Sequence, residues 1–534
     1  MRGFEKKQAI QKIETKTKVE KGKSGLSIVI FGRTGVIVLA LLLQIAILMA
    51  GYSYLQEKMY FIDGVMRVLS VILVVYLVNC RSNPAFKMVW MVLIMLFPVF
   101  GTLMYFYVET EISVKWLNAR LQNMHLMTAG FWFQNKEAYE NLKKESEETA
   151  NLAYYVCQHG GYPAYQNTSV KYFSCGEDKI EELIRQLERA EKFIFMEYFI
   201  VAKGYVWDRV HAVLKKKAEE GVEVRFMYDG TCTISLLPPN YYKKLEREGI
   251  HCRVFAPIKP ALSTHQNNRD HRKVVVIDGH VAFTGGINLA DEYVNRKIRF
   301  GHWKDTAIML EGEAVRSFTL MFLEMWNVAK NTKVEDFAPY LDMEYEREDR
   351  PGEGYVIPYG ESPLDNEHVG KMVYLDIINN AKRYVHIMTP YLILDNEMIT
   401  ALQFAAKKGV EVIIMMPHVP DKWYAFVLAK TYYNELLDAG VQIYEYTPGF
   451  VHAKVFTADD DRAVVGTINL DYRSLYLHFE CAAFLYRSSE IANIEKDFQL
   501  TLKKCQKMTQ EDYKKQKNFD KIAGRVLRVL APLM

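Results

Sequence analysis

No C-x-x-C pair and no Cys/His cluster with zinc-ligand spacing occurs in the sequence. The seven cysteines, at 80, 157, 175, 232, 252, 481 and 505, are an odd number without close pairs. That distribution argues against a disulfide framework and a thiolate metal site, and the thiols read as reduced and structural. Charge of one sign is not in excess either: 67 Lys+Arg stand against 64 Asp+Glu. The surplus lies in Met1–Gly25, whose eight Lys/Arg and three Glu leave the other 509 residues at a net −2. A nucleic-acid-binding domain carries its basic surface on the folded part, so no nucleic-acid partner is expected. Disorder and collagen-like repeats are excluded by a chain that is half apolar and 13% aromatic, enough for more than one core.

The basic tail precedes an apolar run. Val36–Leu55 is 20 residues without a charge, the length that crosses a hydrocarbon core of about 30 Å, and it lacks the short core and cleavage site of a signal peptide. Val68–Val78 reaches spanning length only when extended back to Met59, which takes in Asp63 and Arg67, costly in a bilayer. Met88–Val108 is long but contains Pro98 and Gly101. We expect two or three membrane crossings, with the N-terminus cytoplasmic because nine Lys/Arg precede the first. Discounting the middle run leaves two crossings, a multi-pass cell-membrane protein with its large domain on the cytoplasmic side. Beyond Glu109, Phe131, Trp132, Phe133 and Trp116 stand among polar residues, as in an interfacial collar or an ordinary amphipathic helix packed on the next domain.

The rest of the chain repeats itself. Helix-like Ile180–Ala190 leads into strand-like Phe193–Tyr198, and Met372–Ala381 into Tyr384–Tyr391. Ala212–Gly221 and then Val222–Phe226 match Ala401–Gly409 and then Val410–Ile414. Tyr241–Gly249 before Cys252–Phe255 matches Tyr432–Gly440 before Val441–Tyr446. Helix–strand alternation in two copies of roughly 190 residues is an internal duplication of an α/β unit.

Each copy carries the same polar pattern at the same place. His271, Lys273, Asp278, Gly285, Gly286 and Asn288 correspond to His452, Lys454, Asp459, Gly466, Thr467 and Asn469, giving H-x-K-x4-D-x6-G-[GT]-x-N twice. On a strand, residues i and i+2 face one side, so His and Lys point together. Asn, seventeen residues after the His, can return on a neighbouring strand. Facing copies would supply two imidazoles, two ammonium groups and two amides, a cradle for one phosphoryl group. One His can attack phosphorus while the other protonates the leaving alkoxide. This chemistry needs no metal, and no cofactor is expected.

With this duplicated motif the chain resembles the phospholipase D superfamily from about Tyr172 to the C-terminus, and within it the bacterial cardiolipin synthases. Further likeness comes from Asn83-Pro84-Ala85-Phe86, Asp291-Glu292-Tyr293, Trp303-Lys304-Asp305, Thr389-Pro390-Tyr391, Asp471-Tyr472-Arg473-Ser474-Leu475, Phe479-Glu480 and the final Ala531–Met534. Gly286 and Thr467 depart from a common Ser, and His478 from a common Asn. The resemblance implies duplicated phospholipase D-like domains, mixed sheets flanked by helices, behind a helical membrane anchor. We divide the chain into a tail and anchor (1–110), an interfacial linker (111–165), and two catalytic units (166–345 and 346–534). The resemblance implies Asp305 as the carboxylate orienting His271, and Glu480 as the one orienting His452. It makes His271 the nucleophile and His452 the general acid. Asp278 and Asp459 belong to the motif, and we expect them to be buried structural acceptors. The implied reaction converts two phosphatidylglycerol molecules to cardiolipin and glycerol at a lipid bilayer. A phospholipase D-type hydrolase, or a transferase with another alcohol acceptor, is the alternative. A nuclease fits poorly with a non-basic soluble part, and a non-catalytic scaffold with two intact motifs. Finally, Lys521–Leu530 alternates basic and apolar residues, as in a helix at the membrane surface or one packed on the domain.

Overall fold

The computed structural model describes residues 60–109, 112–258, 267–329, 337–341, 352–365 and 367–533, with short helical pieces between 42 and 54. The first unit contributes strands β1 (Thr168–Phe173), β2 (Phe193–Tyr198), β3 (Glu223–Asp229), β4 (His251–Phe255), β5 (Arg269–Asp270), β6 (Lys273–Ile277), β7 (Val281–Gly285), β8 (His302–Lys304) and β9 (Ala307–Gly312). The second contributes β10 (Tyr355–Glu361), β11 (Tyr384–Met388), β12 (Glu411–Pro417), β13 (Gln442–Tyr446), β14 (Gly449–Val451), β15 (Val455–Ala458), β16 (Arg462–Gly466), β17 (His478–Tyr486) and β18 (Cys505–Lys507).

The two large sheets have the same order. One runs β1-β9-β7-β6-β2-β3-β4, the other β10-β17-β16-β15-β11-β12-β13 with β18 added at the edge. In each, three strands joined by helical crossovers are parallel (β2, β3, β4 and β11, β12, β13), and the rest are antiparallel. The parallel strands are apolar runs because both faces are covered; every residue of β2 is buried. One face of each sheet meets the other sheet. Phe195, Val276 and Leu310 share a core with Met415, Val465 and Ala483 across the helices Val315–Ala329 and Ile491–Leu502. The outer faces carry separate cores under their own helices.

Two short pairings tie the copies together. β5 runs parallel to the start of β17, pairing Arg269 with His478 and Asp270 with Phe479. β14 runs parallel to β8, pairing Gly449, Phe450 and Val451 with His302, Trp303 and Lys304. Each joins the residues just before one motif histidine to those just before the other copy's carboxylate.

The segment read as an interfacial linker is largely packed. Leu142, Ala150, Leu152, Ala153 and Val156 enter the core of the second unit. Trp132 donates to Glu324 at 3.0 Å and packs edge-on against Tyr162, whereas Trp116 and Phe133 remain exposed.

The apolar runs near the N-terminus give a different outcome from the expected multi-pass anchor. Met59–Val78 corresponds to a helix at Tyr60–Asn79, and Met88–Val108 to two helices, Pro84–Leu96 and Pro98–Glu109. Among the described residues no helix is long and apolar enough to cross a membrane. Pro98 has no N–H to continue the preceding helix. The two pieces, of 13 and 12 residues, each extend only about 20 Å, short of the roughly 30 Å core. Gly101 is required at the break, since a Cβ there would lie 2.7 Å from the Ile94 Cα. Leu73, Leu77, Ile94 and Tyr105 form a small core of their own, while Val68, Val71, Ile72, Val75, Met95 and Leu96 face outward. Half of the first run, Val36–Leu55, lies outside the described residues, and the rest is helical.

Candidate active site

The inter-copy strands decide the geometry of the site. His271 follows β5, and its N–H donates to the Phe479 carbonyl at 2.9 Å. Glu480 therefore lies directly beside it, with carboxylate oxygens 2.8 and 2.9 Å from Nδ1. His452 follows β14, its N–H donates to the Lys304 carbonyl at 2.7 Å, and its Nδ1 lies 2.7 Å from Asp305 Oδ2. The carboxylates are thus crossed: Glu480 serves His271 and Asp305 serves His452. This corrects the within-copy pairing expected from the resemblance. The cause is the β5–β17 and β8–β14 pairing, which exchanges carboxylates between copies. Each carboxylate accepts a hydrogen bond from Nδ1–H and leaves Nε2 free to act.

The four groups are buried, the imidazoles at 7% exposure and the carboxylates at 0%. Lys273 and Lys454 are also buried, and each ammonium donates to the carbonyl of the motif histidine two residues earlier. Asn288 accepts from the Ile200 N–H at 2.9 Å and donates to the Tyr293 hydroxyl at 2.8 Å. Asn469 donates to Ser474 at 3.0 Å, and among the described residues its carbonyl oxygen has no hydrogen-bond partner. His271, His452, Asn288 and Asn469 line one cavity of about 920 Å³, which brings the two copies of the motif to a single place.

Burial controls the charge states. Loss of solvation, then Lys273 and Lys454, holds His271 well below the usual imidazole range. Desolvation and Lys454 bring His452 down to about 4. Desolvation lowers Lys273 to about 8 and Lys454 to about 7, and raises Glu480 to about 7. An anion in the cavity reverses these penalties, because it favours every protonated cation around it. His271, His478 and Glu480 bring three donor atoms within 4.8 Å of one another, but with two ammonium groups beside them the field favours an anion over a cation.

Asp278 and Asp459 sit at the turns after β6 and β15, with φ of 52° and 53°. Asp278 accepts from the N–H groups of Glu191, Lys192 and Phe193 at 2.8–2.9 Å. Asp459 accepts from Lys382, Arg383 and Tyr384 at 2.7–3.1 Å. Their carboxylates anchor the entry to β2 and β11 and do not line the cavity. Asp278 is buried, and Asp459 is half-buried.

The two departures from the common Ser have separate explanations. Thr467 donates to Glu480 Oε2, so a hydroxyl fixes that carboxylate. At the equivalent Gly286, a Cβ would lie 2.0 Å from Asp305 Oδ1, so the shorter carboxylate needs a residue without a side chain. The sequence singled out the alternating C-terminal segment but not its part in the site. The helix Asn518–Leu530 places Leu527 and Leu530 in the cavity wall, which Leu533, just past the helix, also lines.

Comparison with known proteins gives a consistent family. The model described as "Cardiolipin synthase, PLD-like domain" matches residues 183–326 and 374–501, and the one described as "Phospholipase_D-nuclease N-terminal" matches 68–108. An uncharacterized protein of Streptococcus mutans is 51% identical over 86% of this chain and 99% of its own length. A cardiolipin synthase of Alkalihalophilus pseudofirmus is 31% identical over 92% of this chain and 98% of its own. Cardiolipin synthase 2 of Bacillus cereus is 33% identical over 86% and 90%. Among solved structures, phosphatidylserine synthase of Haemophilus influenzae superposes with a TM-score of 0.53 at 12% identity, covering 70% of this chain and 94% of that one. That likeness is one of fold.

Proposed function

Because the chain belongs to the cardiolipin synthase family of phospholipase D-like phosphatidyltransferases, we propose that it joins two phosphatidylglycerol molecules into cardiolipin through a phosphatidyl-histidine intermediate. The observation that carries this reading is the convergence of both motif histidines, each with its own carboxylate, on one cavity. Neutral His271 Nε2 attacks phosphorus, and His452, held protonated by the bound phosphodiester anion and Asp305, gives its Nε2 proton to the departing glycerol oxygen. The acceptor hydroxyl then loses its proton to His452 and attacks the phosphoimidazole, releasing His271. The P–O bond broken in the first step is replaced by a P–N bond, which the second step exchanges for the new P–O bond. Lys273, Lys454 and the two asparagines stabilise the non-bridging oxygens. Incubation of the purified protein with phosphatidylglycerol vesicles tests the reading. Cardiolipin and glycerol in equal amounts are expected; phosphatidic acid alone would mean a hydrolase, and a different phosphatidyl product with an added alcohol would mean another acceptor.

The lysines must be protonated to act, and in the empty site they lose that proton as pH rises through about 7 and 8. kcat/KM should fall over that window, whereas kcat should hold to higher pH because a bound phosphodiester raises both lysines. An acid limb near 6.5 would contradict the depressed His271. Gly286→Ala should displace Asp305 and lower kcat about tenfold or more, with a smaller loss for an activated leaving group that needs little acid assistance. Equal losses for both substrates would reject the assignment.

Lipid contact is proposed along one side of the cavity. On the helix Asn518–Leu530, Phe519, Ile522, Val526 and Val529 are exposed while Gly524 packs against Val427 and Thr431. Trp423 stacks on Phe519. These residues, the outward apolar faces of Tyr60–Asn79 and Pro84–Leu96, and Val36–Leu55 would hold the cavity at headgroup depth. Ile522→Asp with Val526→Asp should weaken sedimentation with anionic vesicles severalfold; unchanged sedimentation and activity would remove this helix from the membrane contact.

A further inference from the structure

The cradle for the reacting phosphoryl group uses both lysines, both motif asparagines and both catalytic imidazoles. Arg473 and His478, in the same cavity wall, have no part in that cradle. His478 is 7% exposed, and among the described residues neither of its ring nitrogens has a hydrogen-bond partner. A buried donor and acceptor without partners are costly, and a ligand that satisfies them accounts for their presence. Arg473 lines the cavity half-buried, and among the described residues its guanidinium has no hydrogen bond or ion pair. The other arginines of the wall are occupied. Arg269 donates to the Ala256 carbonyl and lies 3.7 Å from Asp229, and Arg299 donates to Glu292 at 2.9 Å.

These two groups adjoin the reaction centre. The His478 and His271 ring centroids are 5.6 Å apart. The cationic or potentially cationic neighbours that act on His478 are His271, Arg473, Lys273 and Arg269. The facing carboxylate, Glu480, is 4.0 Å from His478 Nδ1 and already bonded to His271 and Thr467. A guanidinium and a neutral imidazole in such a field suit a second anion. The copies are not alike here. His478 stands two residues before Glu480, and Trp303 stands two residues before Asp305, beside His452 at 5.3 Å. At the other end Trp303 also has an indole N–H without a partner among the described residues, but an indole only donates and carries no charge.

We propose that Arg473 and His478 bind the phosphodiester of the acceptor lipid while its free hydroxyl enters the cradle. This rests on the reading that phosphatidylglycerol is the acceptor. That lipid carries a phosphodiester three carbons from its attacking hydroxyl, whereas water and glycerol carry none. The subsite would thus favour cardiolipin formation over hydrolysis of the phosphatidyl-histidine and over its return to phosphatidylglycerol.

The test measures two products in one reaction of the full-length protein with phosphatidylglycerol vesicles and labelled glycerol. Incorporation of label into phosphatidylglycerol reports loading of the histidine and return by glycerol, without a second phosphate. Cardiolipin formation requires the second lipid. Arg473→Gln should lower the ratio of cardiolipin formation to label exchange about tenfold, and Arg473→Lys should restore much of it. His478→Phe should move the ratio the same way, with His478→Asn in between. A ratio unmoved in Arg473→Gln and His478→Phe, or equal loss of both products, would overturn the proposal. Should the variants fail to fold, the unmodified protein decides it. Glycerophosphoglycerol should then be used as acceptor about tenfold better than glycerol at equal concentration, and equal use would overturn the subsite. Wild-type protein that exchanges glycerol but forms no cardiolipin would instead refute the proposed function, and the subsite with it.

Discussion

His271→Asn is expected to abolish both the covalent adduct and cardiolipin formation, a loss of about a thousandfold or more. His452 is committed to proton transfer and, among the described residues, His478 has no carboxylate at hydrogen-bond distance, so neither replaces it. His452→Asn should behave differently. Glycerol is a poor leaving group and needs the proton, so turnover of phosphatidylglycerol should fall by a comparable factor. A phosphatidyl ester of an acidic phenol should still load His271 in that variant, releasing about one equivalent of phenol per active site before stalling. Loss of that burst in His452→Asn, with its survival in His271→Asn, would reverse the two roles and leave the two-step chemistry standing.

The second large effect concerns the crossed carboxylates. Glu480→Gln should impair His271, slowing adduct formation about a hundredfold or more with every leaving group, because the amide no longer fixes the nucleophile's tautomer. Asp305→Asn should impair His452, with a loss of similar size for glycerol and a much smaller one for the acidic phenol. Within-copy pairing predicts the opposite assignment of these signatures. Pre-steady-state phenol release by the two variants separates the schemes.

These carboxylates also mark where sequence reading stops. The duplication was legible because helix periodicity, glycine-terminated helices and apolar strands recur in the same order, and both sheets share one strand order. The motif histidines and asparagines were legible because identical spacing in two copies implies one shared centre. The partner of each histidine was not. It depends on β5–β17 and β8–β14, pairings of two and three residues between copies, which carry no local signature. Asp278 and Asp459 share the motif but are spent on backbone N–H groups at the β2 and β11 entries, a task that spacing alone does not separate from catalysis. Apolar length was a poor guide near the N-terminus, where Pro98 and Gly101 turn one long run into two short packed helices. His478 stood out only as a departure from Asn; its exposure to the cavity and its unpartnered nitrogens belong to the folded chain.

Covalent transfer through His271 must leave its mark on the protein. Its most direct test is rapid acid-free quenching of the protein with phosphatidylglycerol, followed by peptide mass spectrometry. A phosphatidyl group is expected on the peptide carrying His271, appearing together with released glycerol before cardiolipin and disappearing as cardiolipin forms. Cardiolipin produced at full rate with no histidine adduct at any time would contradict it.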